Sequence, residues 1–126
     1  MLTTYVWIAV GGAIGSMARF ACAQAAPIDR FPWGTLIVNV IGSAIIGALA
    51  GLLGPQGRWP SESMRAFLMV GVCGGFTTFS AFSLQTLGLI QAGDMARAGL
   101  NVIGSVTLCL LAVWAGQAAG VALGAR

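Results

Sequence analysis

The chain has 126 residues, of which 58% are hydrophobic and only 7% charged, and its mean hydropathy is +0.92; a soluble domain of this length carries far more charge. Six arginines against Asp29, Glu62 and Asp94 give a net charge of +3, with no lysine and no histidine, and charges this sparse make no nucleic-acid footprint. A membrane span takes about 20 apolar residues, so residues 1–126 are expected to form a single four-span membrane domain, all-α, with nothing left for a soluble one.

The first span is expected over residues 4–24. Tyr5 to Ile14 with Ala21-Cys22-Ala23 resembles a signal peptide, but no basic residue precedes the apolar run and Arg19 falls near the supposed cut, which favours a retained span. Gly11, Gly12, Gly15 and Ser16 offer a small-residue face for close helix contact. Arg19, near the far end, reads either as a side chain snorkelling to the headgroups or as an anion-attracting residue at a pore mouth. Pro27, Asp29, Arg30 and Pro32 mark a turn at the water interface, and Trp33 anchors the second span.

The second span, residues 33–53, repeats Thr35, Asn39, Ser43, Gly47 and Gly51 every four residues, which places them on one stripe. Glycines on that stripe allow backbones to approach. Asn39 is the discriminating residue, because a membrane-buried amide is costly without partners; it reads as pore lining or as glue between helices. A loop with Pro55, Gly57, Arg58, Trp59 and Pro60 leads to Ser61-Glu62-Ser63, a helix start.

The third span, residues 64–90, would measure about 40 Å as one helix against a hydrocarbon core of about 30 Å. Near its middle stands GVCGGFTTFSAFSLQ, Gly71 to Gln85. Gly74, Gly75, Thr77 and Thr78 are poor helix formers, so the helix is expected to open between Gly74 and Thr78. Backbone groups freed at that depth need protein, ions or a water-filled path. Phe79 and Phe82 come next, three residues apart, with Ser80 and Ser83 beside them. On composition alone such phenylalanines pack against lipid or core. Beside a break they read differently, since the positive edge of an aromatic ring approaches a small anion without a full charge, and conduction needs weak, multiple sites.

A short third loop holds Gly93, Asp94 and Arg97, and the fourth span, residues 98–123, carries the weaker stripe Asn101, Ser105, Cys109. The three cysteines match neither a metal site nor a disulfide framework and read as small apolar fillers. With four spans, Arg58, Arg65 and Arg126 fall on one side and Arg19, Arg30 and Arg97 on the other. Orientation normally follows an excess of basic residues on the cytoplasmic side. A tie is compatible with insertion both ways and with an antiparallel pair of copies.

An enzyme is not expected, since the carboxylates lie in loops and no nucleophile has a base beside it. A dual-topology small-molecule exporter resembling the small multidrug resistance family fits the length, but it would want a carboxylate in the first span, which has none. A passive channel accounts for both the glycine faces and the polar residues around the break.

GGFTTFSAFS (Gly74 to Ser83), GTLIVNVIGS (Gly34 to Ser43) and GGAIGSMAR (Gly11 to Arg19) together closely resemble the fluoride channels of the Fluc (CrcB) family, in order and spacing over nearly the whole chain. The resemblance implies an antiparallel dual-topology homodimer in the bacterial inner membrane, with two fluoride pores along the subunit contact. It implies pore-lining roles for Phe79, Phe82 and Asn39, a hydroxyl track of Thr35, Ser80, Ser83 and Ser105, and Arg19 in the vestibule. It further implies a structural sodium ion (Na+) at the dimer centre on backbone carbonyls of Gly74 and Thr77 from both subunits. Where many members carry glutamate this chain has Gln85, a neutral amide that keeps hydrogen bonding and removes an ionisable group.

Overall fold

The computed structural model describes residues 1–54 and 58–125, so Pro55, Gly57 and Arg126 lie outside the described residues. Among the described residues the chain is all-helical: α1 (Leu2–Gln24), α2 (Trp33–Leu53), α3 (Glu62–Arg65), a π-helical stretch π1 (Ala66–Cys73), α4 (Gly74–Phe76), α5 (Phe79–Gln91) and α6 (Met95–Gly124). Segments α3, π1, α4 and α5 together make one span, and with α1, α2 and α6 they give four units long and apolar enough to cross a membrane.

Side-chain caps set several helix starts. The Ser61 hydroxyl accepts the Met64 N–H, the Asp94 carboxylate accepts the Arg97 N–H, and the Thr78 hydroxyl accepts the Ala81 N–H; each satisfies a donor that the first helical turn leaves without a partner. At the other end of α5, Gly93 has φ 78°, while the N–H groups of Gly93 and Asp94 bond back to Ile90 and Leu89. This glycine-dependent stop turns the chain directly into α6.

Two pairs of helices are held by backbone-to-backbone approach. Gly47 and Gly51 of α2 lie against the backbone at Val113 and Gln117, and Gly116 and Gly120 of α6 lie against Ala44 and Ala48; a Cβ at any of the four would strike a carbonyl oxygen. In lipid, where apolar burial drives little association, such contact is what joins helices. The same device joins α1 to the first half of the third span, with Gly11 against Phe67 and Gly71, and Gly15 against Val72. By contrast, α5 rests on α6 and only sparsely on α2.

The break falls at Thr77 and Thr78, whose backbones are extended (φ −86°, ψ 159°, and φ −153°, ψ 111°). Gly74 and Gly75 stay helical. Gly75 instead lets α4 sit against Gly12 and Ser16 of α1, whereas a Cβ at Gly74 would meet no close neighbour; Gly75 serves packing and the threonines serve the opening. Nothing in the sequence signals the π-helical stretch ahead of the break.

Candidate functional site

Asn39 organises the break. Its Oδ1 accepts the Thr78 N–H at 2.8 Å, and its Nδ2 donates to the Thr78 carbonyl at 3.0 Å. One amide thus satisfies both backbone groups of the residue at the opening, which membrane depth requires of some partner. Gly42, one turn further along α2, leaves room for the Thr77 methyl and the Phe76 ring. The Thr77 hydroxyl donates to the Cys73 carbonyl at 3.0 Å, closing the upstream half.

These bonds decide which carbonyls are released. In an unbroken helix the Gly74 carbonyl would accept from the Thr78 N–H and the Thr77 carbonyl from the Ala81 N–H. The first donor is taken by Asn39 and the second by the Thr78 hydroxyl. Both residues also line the cavity at the break. The two residues implied for sodium are therefore two whose carbonyls have lost their helical donors, and neutral backbone oxygens suit a hard cation.

The cavity at the break, about 410 Å³, is partly open to the surroundings of the subunit. Six of the expected site residues line it: Asn39, Gly74, Thr77, Phe79, Phe82 and Ser105. The Phe79 and Phe82 rings stand 5.2 Å apart and tilted by 46°. Their settings differ sharply, since Phe82 is 8% exposed and Phe79 is 76% exposed. Phe82 belongs to the subunit's own packing, whereas Phe79 projects from it.

The remaining expected residues lie elsewhere. Thr35 is buried, Ser80 and Ser83 are exposed on α5, Arg19 is half-buried on α1, and none of the four lines the cavity at the break. The hydrogens of the hydroxyl track are partly engaged within the protein: Ser83 donates to the Phe79 carbonyl at 2.9 Å and Ser105 to Asn101 Oδ1 at 3.2 Å. Ser80 shares a 3.2 Å bond with Thr78. Gln85 lies in a second cavity of about 500 Å³, further along α5, together with Asp29, Arg30, Gly88 and Asp94. Ser43, also on the cavity at the break, and the buried trio Thr86, Asn101 and Ser105 complete the polar set. Periodicity placed Ser43 and Asn101 on their stripes; nothing in the sequence paired Thr86 with Asn101.

Outside the spans, Asp94 is bonded through its side chain to Arg97 at 2.6 Å. That hydrogen bond, reinforced by the Arg97 backbone N–H, holds the Asp94 carboxyl below its usual range.

Four apolar helical units, one opened at mid-length beside a cavity lined by Asn39, Phe79, Phe82 and the residues of the opening, define a multi-pass membrane protein. Residues 6–117 match the model of the family described as CrcB-like protein, Camphor Resistance (CrcB), and the chain belongs to that family. Similar proteins include one from Opitutus terrae, 54% identical over 97% of this chain and 96% of its own length. Another from Paramagnetospirillum magneticum is 55% identical over 94% and 95%, and one from Methylocella silvestris is 51% identical over 94% of each. All three bear the name fluoride-specific ion channel FluC.

Proposed function

We propose that this chain is a passive, selective fluoride channel that exports cytoplasmic fluoride across the bacterial inner membrane. The observation that carries the reading is the broken span itself. Asn39 holds Thr78 open beside the Phe79–Phe82 pair, on an open cavity, in a chain about half identical to proteins named fluoride-specific channels. Fluoride enters a cell as the neutral acid, ionises, and leaves down the inside-negative potential. It holds its water strongly, so the path must replace part of that water with donors and ring edges without binding the ion tightly. Asn39 keeps a second Nδ2 hydrogen beyond the one engaged by Thr78, and Phe79 and Phe82 supply the edges.

The working unit in this reading is an antiparallel homodimer with two pores along the subunit contact. It is supported by the three-to-three arginine tie, by the outward Phe79 ring and by a partly open cavity, which a second copy would wall off. A structural sodium ion fits the Gly74 and Thr77 carbonyls of each copy; when bound it supplies a positive charge that ties the two breaks together. Arg19 serves as the vestibule arginine, and Thr35, Ser80 and Ser83 as the surrounding hydroxyls, with Ser105 lining the path through its oxygen.

The test is fluoride efflux from liposomes carrying the purified protein under a potassium diffusion potential, with chloride measured in parallel. Fast fluoride loss without chloride loss is the expected result. No efflux from a well-folded dimer would return the exporter reading. Replacing sodium by a large organic cation should shift the dimer towards monomer in detergent, and an unchanged dimer would remove sodium from the account.

A further inference from the structure

Although α5 carries both phenylalanines, its anchorage within the subunit is slight, resting on α6 and only sparsely on α2. Its buried residues are Phe82, Thr86 and Leu89, which share one stripe at i, i+4 and i+7. The middle of that stripe is polar.

Thr86 Oγ1 donates to the Phe82 carbonyl at 2.7 Å. A carbonyl only accepts, so the Thr86 hydrogen is engaged and its oxygen must accept the next contact. That contact is Asn101 Nδ2 at 2.9 Å. The orientation of the Asn101 amide is thereby determined, with Oδ1 facing Ser105, whose hydroxyl donates to it at 3.2 Å. Asn101 is 1% exposed, and no buried side-chain nitrogen or oxygen among the described residues lacks a partner. The chain of bonds is therefore directional from Ser105 to the Phe82 carbonyl, and both of its ends lie on the cavity at the break.

We infer that Asn101 and Thr86 are positioning residues for the permeation path. They hold α5 at the rotation that turns Phe82 towards the cavity, and they draw the Ser105 hydrogen away from it. Apolar contact lets helices slide or turn, whereas a fully satisfied buried polar network specifies one arrangement. The effect on the ion comes from the direction of the bonds. Ser105 offers lone pairs, which an anion does not bind, so the ion's favourable contact on this wall falls to the Phe82 ring edge.

The inference rests on the channel reading, and its test separates the two. Fluoride efflux is measured for the wild type, Thr86→Val, which keeps the shape and loses the hydroxyl, and Thr86→Ser, which restores it. Efflux in Thr86→Val should fall by about fivefold while Thr86→Ser stays within about twofold of wild type, both eluting as the wild type does. Wild-type efflux in Thr86→Val, or an equal fall in Thr86→Ser, would overturn the assignment. Should Thr86→Val fail to fold, Asn101→Ala serves in its place: a loss of about fivefold supports the role and an unchanged rate overturns it. If the wild type itself passes no fluoride, the channel reading fails, and amide hydrogen exchange across Phe82 to Gln91 still decides the positioning role. Faster exchange in Thr86→Val than in Thr86→Ser supports it, and equal exchange overturns it.

Discussion

Asn39 and Thr78, 39 residues apart in the chain, exchange two hydrogen bonds through one amide, at 2.8 and 3.0 Å. The pair converts an opened helix from a liability in lipid into a stable feature, because both backbone groups at the opening find a partner. Asn39→Leu removes both bonds and leaves the Thr78 N–H and carbonyl without partners. We expect a loss of about 2 kcal/mol in stability, within the range for unsatisfied buried groups, together with loss of fluoride efflux. Thermal unfolding in detergent beside the liposome assay reads both. A variant as stable and as active as wild type would mean that Asn39 does not hold the break.

The unequal settings of the phenylalanines predict a division between stability and transport. Phe82→Ala leaves a void in packed protein and should cost roughly 3 kcal/mol as well as flux. Phe79→Ala, truncating a ring that is 76% exposed in the subunit, should cut flux with little change in the stability of the subunit. Near-normal efflux in both variants would remove the rings from the mechanism.

Gly42 faces Thr77 so closely that a Cβ there would overlap the threonine methyl and press on the Phe76 ring. Gly42→Ala should therefore displace the break, at about 1–3 kcal/mol for overpacking, and lower efflux. Pairing it with Thr77→Ser, which removes the opposing methyl, should recover stability and efflux together. Failure of the second change to recover either would place the harm of the first elsewhere.

At the end of the third span the Asp94 carboxyl is held below its ordinary value of 3.8 by its bonds to Arg97. A carboxyl with a depressed folded pKa contributes stability that is complete above the ordinary value and is lost as pH falls through the folded one. Asp94→Asn keeps a good capping side chain but has no such titration. The advantage of the wild type over Asp94→Asn in thermal unfolding should therefore hold at neutral pH and shrink as pH falls below about 5. It should be small throughout, because the pair is partly exposed. An advantage that stays constant or grows towards acid would contradict the assignment.

Four helices and an interrupted third span were legible in the sequence because apolar length and weak helix formers act locally. The same is true of the motif around Thr77 to Ser83 that carries the family resemblance. Periodicity also placed Asn39, Ser43 and the glycines on one stripe of the second span. It could not say that Gly75 of the third span serves packing against α1 while the threonines open the helix, since that depends on what lies opposite Gly75. Nor could it choose between pore lining and helix glue for Asn39, and the tertiary structure places it on the cavity while bonding it across to Thr78. The arrangement of Thr86, Asn101 and Ser105 was likewise decided only by packing. A side chain's helical face is a property of its neighbours along the chain, but its hydrogen-bond partner is whichever group the close approach of two helices brings within about 3 Å.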